Sequence, residues 1–168
     1  MKNTKQLTLQ EIKNALQSTQ ENFLKLSSQS LLIEKLYTKP SPAEWSCGIV
    51  LWHIGEARTF FANEIEKVLH HTDLPIGRTM DDPVRLANIK EADIVQPSID
   101  KILDRLEKSY SKVTTIFKNL KPSDLEIEIQ HMNPKFGLMK LVDFIDHFIV
   151  EHDHIHLAQI DRILKQIR

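Results

Sequence analysis

The chain has 168 residues, with 22 Lys and Arg against 23 Asp and Glu and a net charge of -1. Charges so balanced leave no electrostatic footprint for nucleic acid or for an anionic membrane surface. One cysteine excludes an intramolecular disulfide framework and suits a reducing, cytoplasmic compartment. There is no basic segment followed by an apolar one at the N-terminus, and no apolar run is long enough to span a bilayer. Only four glycines and a helical period almost throughout argue against a β architecture, so one all-α domain over 1–168 is expected.

In chain order, Thr8 to Leu26 reads as the first helix. Leu9, Ile12, Leu16, Phe23 and Leu26 recur at helical spacing, and Thr19 fills one slot of the stripe. Ser27-Ser28-Gln29-Ser30 ends it. Leu31 to Thr38 alternates poorly and reads as an extended connector leading to Pro40 and Pro42. Ser41-Pro42-Ala43-Glu44 is a capping box with Pro at the first helical position, and a second start lies at Ser46. The second helix should run from one of these to about His70, with His53, Ala57, Phe60, Phe61 and Val68 on its inner face.

Residues 71–97 form a long connection with four breakers, Pro75, Gly77, Pro83 and Pro97. Asp82 before Pro83 predicts a short helix to about Ala92. A crossover this long points to two parallel neighbouring helices or to a lid over a site. The third helix is expected from Ser98 to Leu120, broken by Lys121-Pro122-Ser123-Asp124. Asn133-Pro134-Lys135-Phe136-Gly137 then leads into the fourth, Leu138 to Ile167.

That fourth helix carries the chemistry. At about 100° per residue, Leu141, Ile145, Phe148, Ile149, Gln159 and Ile163 form one stripe, and His152 and His156 fall within it. His147 and His154 come out on the opposite face with Asp143, Glu151 and Asp161. Two inward histidines at i, i+4 can hold one metal ion from one side. His53, also inward, supplies a third imidazole from another helix and leaves a fourth position open for water or substrate. The alternative is a set of core histidines satisfied by hydrogen bonds. Zinc, nickel or another borderline divalent ion suits imidazole ligands.

Pro40-x4-Trp45-Ser46-x6-His53, together with Glu151-His152-Asp153-x2-His156-Leu157-Ala158-Gln159-Ile160, resembles the DinB/YfiT family over nearly the whole chain. The resemblance implies an up-down four-helix bundle with a long crossover between helices two and three. It also implies a homodimer and a divalent metal on three histidines, which map to His53, His152 and His156. Some members resemble thiol S-transferases that use low-molecular-weight thiols such as bacillithiol, or mycothiol-dependent isomerases; others are described as metal-dependent hydrolases. Thiol transfer to an electrophilic small molecule is the expected activity. Hydrolysis, or a non-catalytic metal- or ligand-binding bundle, is the alternative.

Among the remaining residues, Glu56 is a candidate general base or a support for a ligand imidazole, against the alternative of a solvated helix charge. Cys47 is either activated at a helix start or a small buried side chain. Trp45 and Phe60 read as core. His70, His71, His147 and His154 read as solvated, while Arg78, Asp81 and Arg85 of the crossover are candidates to meet charged groups of a substrate.

Overall fold

Thr8 opens the first helix with a reciprocal cap. Its hydroxyl accepts the Glu11 N–H at 3.2 Å while the Glu11 carboxylate accepts the Thr8 N–H at 2.8 Å. In this computed structural model, which describes residues 6–70 and 75–167, α1 covers Leu9–Ser27. His71 and the turn expected at Thr72-Asp73-Leu74 lie outside the described residues.

The connector expected to be extended from Leu31 instead contains a short helix, α2, Ser30–Glu34. A single turn seats Leu32 fully in the core and satisfies backbone groups that an unpaired extended chain would leave open. Of the two possible starts for the next helix, the later one is used. α3 runs Cys47–Leu69, and the Ser46 hydroxyl accepts the Ile49 N–H at 3.4 Å. Ser41 and Glu44 close a separate turn, with the Glu44 N–H on the Ser41 carbonyl at 3.1 Å.

Asp82 caps α4, Pro83–Val95, with Pro at its first position. The helix runs a turn past the expected Ala92 and ends at Gln96, which takes a left-handed φ of 49°. Ser98 caps α5, Ile99–Asn119.

The fourth helix begins three residues later than expected. Leu138–Lys140 is a strand, β2, antiparallel to β1, Glu128–Gln130, with Ile129 opposite Met139. The turn between them is set by Asn133, whose carbonyl accepts the Phe136 N–H at 3.0 Å, and by Gly137 at φ +59°. Ile76 of the crossover joins this hairpin by a bridge to His131.

α6, Leu141–Ile145, then leads through a π turn, Asp146–Glu151, into α7, His152–Gln166, as one continuous helix. The π turn inserts a residue into the helical repeat.

α1, α3, α5 and the α6–α7 helix form a four-helix bundle. Gly55 lies against Arg105 and Asn63 against Lys112, so α3 and α5 run parallel. His53 sits beside His152 and His156, and Phe61 beside Phe148, so α3 and α7 run antiparallel. The crossover therefore joins parallel neighbours.

The core divides into two apolar halves. One holds Ile12, Leu16, Phe61 and Phe144; the other holds Phe23, Leu51, Ile54 and Ile160. Thr19, Gln20, Ser109 and Asp153, all buried, fall between the two along their helices, and Arg58 is buried close to the same junction on α3.

Candidate metal centre

His53 projects from the second turn of α3, and His152 and His156 from the first two turns of α7. One ring nitrogen from each histidine lies within 4.8 Å of the other two, and Nε2 of His53 is 3.2 Å from Nε2 of His152. The opposite nitrogen of each ring has an oxygen as a neighbour, at hydrogen-bond distance only for His156. Nδ1 of His156 bonds Oε1 of Gln159 at 2.7 Å. Nδ1 of His53 is 3.5 Å from Oε2 of Glu56, and Nδ1 of His152 is 3.8 Å from Oδ1 of Asp153. A hydrogen on Nδ1 leaves the lone pair on Nε2, the form in which imidazole ligates a metal.

The geometry fits a divalent ion. Two nitrogens at about 2.0–2.1 Å from one tetrahedral zinc lie about 3.3 Å apart. Burial, opposed by Glu56 and reinforced by His152, lowers the His53 pKa to about 4. Burial, with His152 and His53 adding to it, lowers that of His156 to about 3. Both rings are therefore neutral at pH 7, as metal ligation requires. The three-histidine cluster can hold a divalent metal ion.

Glu56 is buried, which removes the solvated alternative. Its carboxylate takes both terminal nitrogens of Arg78, with Nη2 at 2.7 Å from Oε2. Burial opposes ionisation there, but Arg78 and His53 outweigh it and hold the pKa at about 2. Arg78 itself comes from the crossover and lies over the Phe60 ring, 4.3 Å from its centre.

Behind His152, Asp153 is fully buried against Arg58, which gives its Oδ2 two bonds of 2.9 and 2.7 Å. Arg58 also donates to Gln20 at 2.6 Å, and the Thr19 hydroxyl donates to Asp153 at 3.2 Å. Sequence reasoning missed this network. Its signal was the polar slot at Thr19 in an otherwise apolar stripe, followed by a second polar residue, Gln20.

The histidines border an open cavity of roughly 690 Å³. Trp45, expected in the core, is one of its walls, stacked toward His156 at 6.3 Å between ring centres; Phe61, Phe136 and Phe148 also line it. Phe60 is half-buried beneath Arg78. Of the crossover candidates, Arg78 and Arg85 line the cavity, while Asp81 is exposed away from it.

His147 is exposed yet borders the cavity, paired to Glu151 at 2.6 Å. His70 and His154 are exposed. Cys47 is buried, and desolvation pushes its thiol up to about 11, so it is no activated nucleophile. His131, also missed, is buried and stacks on Phe148 with ring centres 4.8 Å apart.

The family model described as the DinB superfamily matches residues 7–160. No curated protein matches the chain. Among solved structures, the chain is similar to YfiT from Bacillus subtilis, described as a probable metal-dependent hydrolase with an unusual four-helix bundle topology. That likeness has a TM-score of 0.76 at 16% identity, over 99% of this chain and 93% of that one. It is also similar to a mycothiol-dependent maleylpyruvate isomerase, with a TM-score of 0.71 at 11% identity, over 92% of this chain but 61% of the isomerase. A third likeness is to the colibactin self-resistance protein ClbS, solved in complex with a double-stranded DNA. Its TM-score is 0.68 at 9% identity, over 94% of this chain and 95% of that one. Identities this low bear on the fold alone. Among the described residues, no helix is long and apolar enough to cross a membrane.

Proposed function

The chain belongs to the DinB superfamily, and from that membership we propose that it is a metal-dependent enzyme that transfers a low-molecular-weight thiol to an electrophilic small molecule. His53, His152 and His156 are the proposed ligands of a zinc or nickel ion. The observation that carries the reading is the arrangement of those rings. Two Nε2 atoms converge at 3.2 Å at the edge of an open cavity, with the His156 Nδ1 bonded to Gln159 and carboxylate oxygens 3.5 and 3.8 Å from the Nδ1 atoms of His53 and His152.

A divalent ion in that position would act as a Lewis acid and lower the pKa of a thiol or water entering the open coordination site. The residues around the cavity favour the thiol. Among the described residues, the carboxylates nearby are already engaged: Glu56 by Arg78, Asp153 by Arg58, Glu44 by Arg162 and Glu151 by His147. No free base remains among them to take a proton from water, whereas a thiol is the stronger acid to begin with, at a pKa of about 8.5. Glu56 therefore serves in this reading to position His53 rather than to act as general base. The aromatic walls exclude water and seat the apolar part of a substrate.

Hydrolysis is the second reading. It is favoured by the likeness to YfiT, which is described as a probable metal-dependent hydrolase. A homodimer in a reducing cytoplasm belongs to the same proposal.

The test begins with metal analysis of the purified, untagged protein beside His53→Ala. About one equivalent of metal per chain is expected in the first and much less in the second. Metal-dependent thiol consumption with chloro or epoxide electrophiles then separates transfer from hydrolysis. A wild-type protein that takes up neither zinc nor nickel refutes the reading.

A further inference from the structure

Three cationic side chains line the cavity beside the histidines: Arg78, Arg85 and Lys135. Arg78 is neutralised by Glu56. Lys135 is exposed. Arg85 differs from both. It is half-buried, stands on the first turn of α4, and is held there by Asp82, whose Oδ1 accepts the Arg85 backbone N–H at 2.8 Å. Its guanidinium lies 5.8 Å from the centre of the Trp45 ring and gives one bond, from Nη1 to the Met80 carbonyl at 2.7 Å.

No carboxylate of the described residues forms an ion pair with that guanidinium; Glu56 and Asp82 act on it only through space, and Arg78 opposes them. A divalent ion on the histidines would add two more positive charges nearby. The cavity is thus built with an unbalanced cation, fixed on a capped helix and aimed among aromatic walls.

We propose that Arg85 is a specificity-determining anchor, and that the cavity takes a small molecule bearing a carboxylate, which the open edge of the Arg85 guanidinium binds while an aromatic or aliphatic portion lies against Trp45. The planar fork of N–H donors matches a carboxylate two bonds at a time. Trp45 holds one side of the guanidinium and offers a ring face to the ligand body. Lys135, at the mouth, adds attraction without fixing geometry. This inference takes the site from the three-histidine reading but does not need the metal to be present.

The test is calorimetric binding of 3-phenylpropionate and its neutral amide to zinc-loaded and to metal-free protein, each compared with Arg85→Gln. The acid should bind about ten-fold more tightly than the amide in both metal states. Arg85→Gln should reduce that preference to under about two-fold while leaving metal content unchanged.

A preference confined to the zinc-loaded protein and untouched by Arg85→Gln would mean that the carboxylate goes to the metal, and would overturn the anchor. Equal binding of acid and amide, or binding of neither, would overturn it as well. A protein that refuses metal yet keeps the Arg85-dependent preference would sink the metal-enzyme reading and leave the anchor standing.

Discussion

Arg58→Met tests the buried layer that backs the histidines. Arg58 and Asp153 are 1% and 0% exposed. The guanidinium supplies two of the three bonds to the Asp153 Oδ2, and the third comes from Thr19. Removing it strands a carboxylate between two apolar halves of the core, which costs about 3–5 kcal/mol. In a chain of this length each kcal/mol moves Tm by about 2–4 °C, so a fall of roughly 6–20 °C is expected.

Acid has opposite consequences for the wild type and the variant. Burial pushes the Asp153 pKa up, but Arg58 and His152 outweigh burial and hold it below the usual carboxylate range. In the wild type the pair's stabilisation is present above the unfolded carboxylate pKa and is lost as pH falls through the lower, folded one. In Arg58→Met the carboxylate pKa rises, so the variant's deficit should narrow as pH falls from 7 toward 4. Replacing both residues, Arg58→Met with Asp153→Leu, should return stability to within about 1 kcal/mol of wild type. It should still weaken zinc binding by about ten-fold, because His152 loses the carboxylate charge 3.8 Å from its Nδ1. Denaturation of the single and double variants at pH 7 and pH 5, with zinc competition alongside, measures all of this. Additive losses in the double variant would refute the reasoning, as would a deficit independent of pH.

The histidines make a prediction of the same sign in a higher pH window. His53 titrates near 4 and His156 near 3 when folded, against about 6.5 when unfolded. The metal-free protein should therefore lose stability progressively as pH drops from about 6.5 toward 4, by about 3 kcal/mol from His53 alone; denaturant melts across that range check it, and a flat profile refutes it. Glu56→Gln should lower zinc affinity by about 10–100-fold in competition with a chromogenic chelator, since it removes the carboxylate charge that faces His53 and pairs with Arg78.

The four long helices and the three histidines were legible because each rests on local periodicity or a capping pattern. Thr8 with Glu11, Asp82 before Pro83, and Ser98 before Ile99 mark starts that the structure uses. What was not legible depends on distant pairing. Leu138–Lys140 reads as helix by its apolar residues, and becomes strand only because the Asn133–Gly137 turn lays it along Glu128–Gln130. Asp153 was hidden for another reason. It sits one residue from an inward histidine, on a part of the helix that a polar residue normally turns to water. Only an arginine 95 positions earlier makes its burial affordable. The π turn just before it, Asp146–Glu151, shifts the helical phase by an inserted residue, and no residue type there announces it.

The crossover is then more than a connection between parallel helices. Its first part, tied to the hairpin by Ile76 and to α3 by the Gly77 N–H on Glu64 at 2.7 Å, delivers Arg78 to Glu56 and thereby fixes the carboxylate that faces His53. Gly77 is required at this point. Its φ is +87°, and a Cβ there would lie 2.2 Å from Nε2 of His131, a ring pinned by Phe148 and Phe136. A few residues on, Asp82 starts α4 and sets Arg85 over the same cavity. The bundle supplies the imidazoles, whereas the crossover supplies two of the three cationic side chains that line the cavity. Sequence changes in 75–95 can therefore alter what the cavity accepts while leaving the imidazoles in place, and changes at Gly77 or Arg78 reach His53 without touching it.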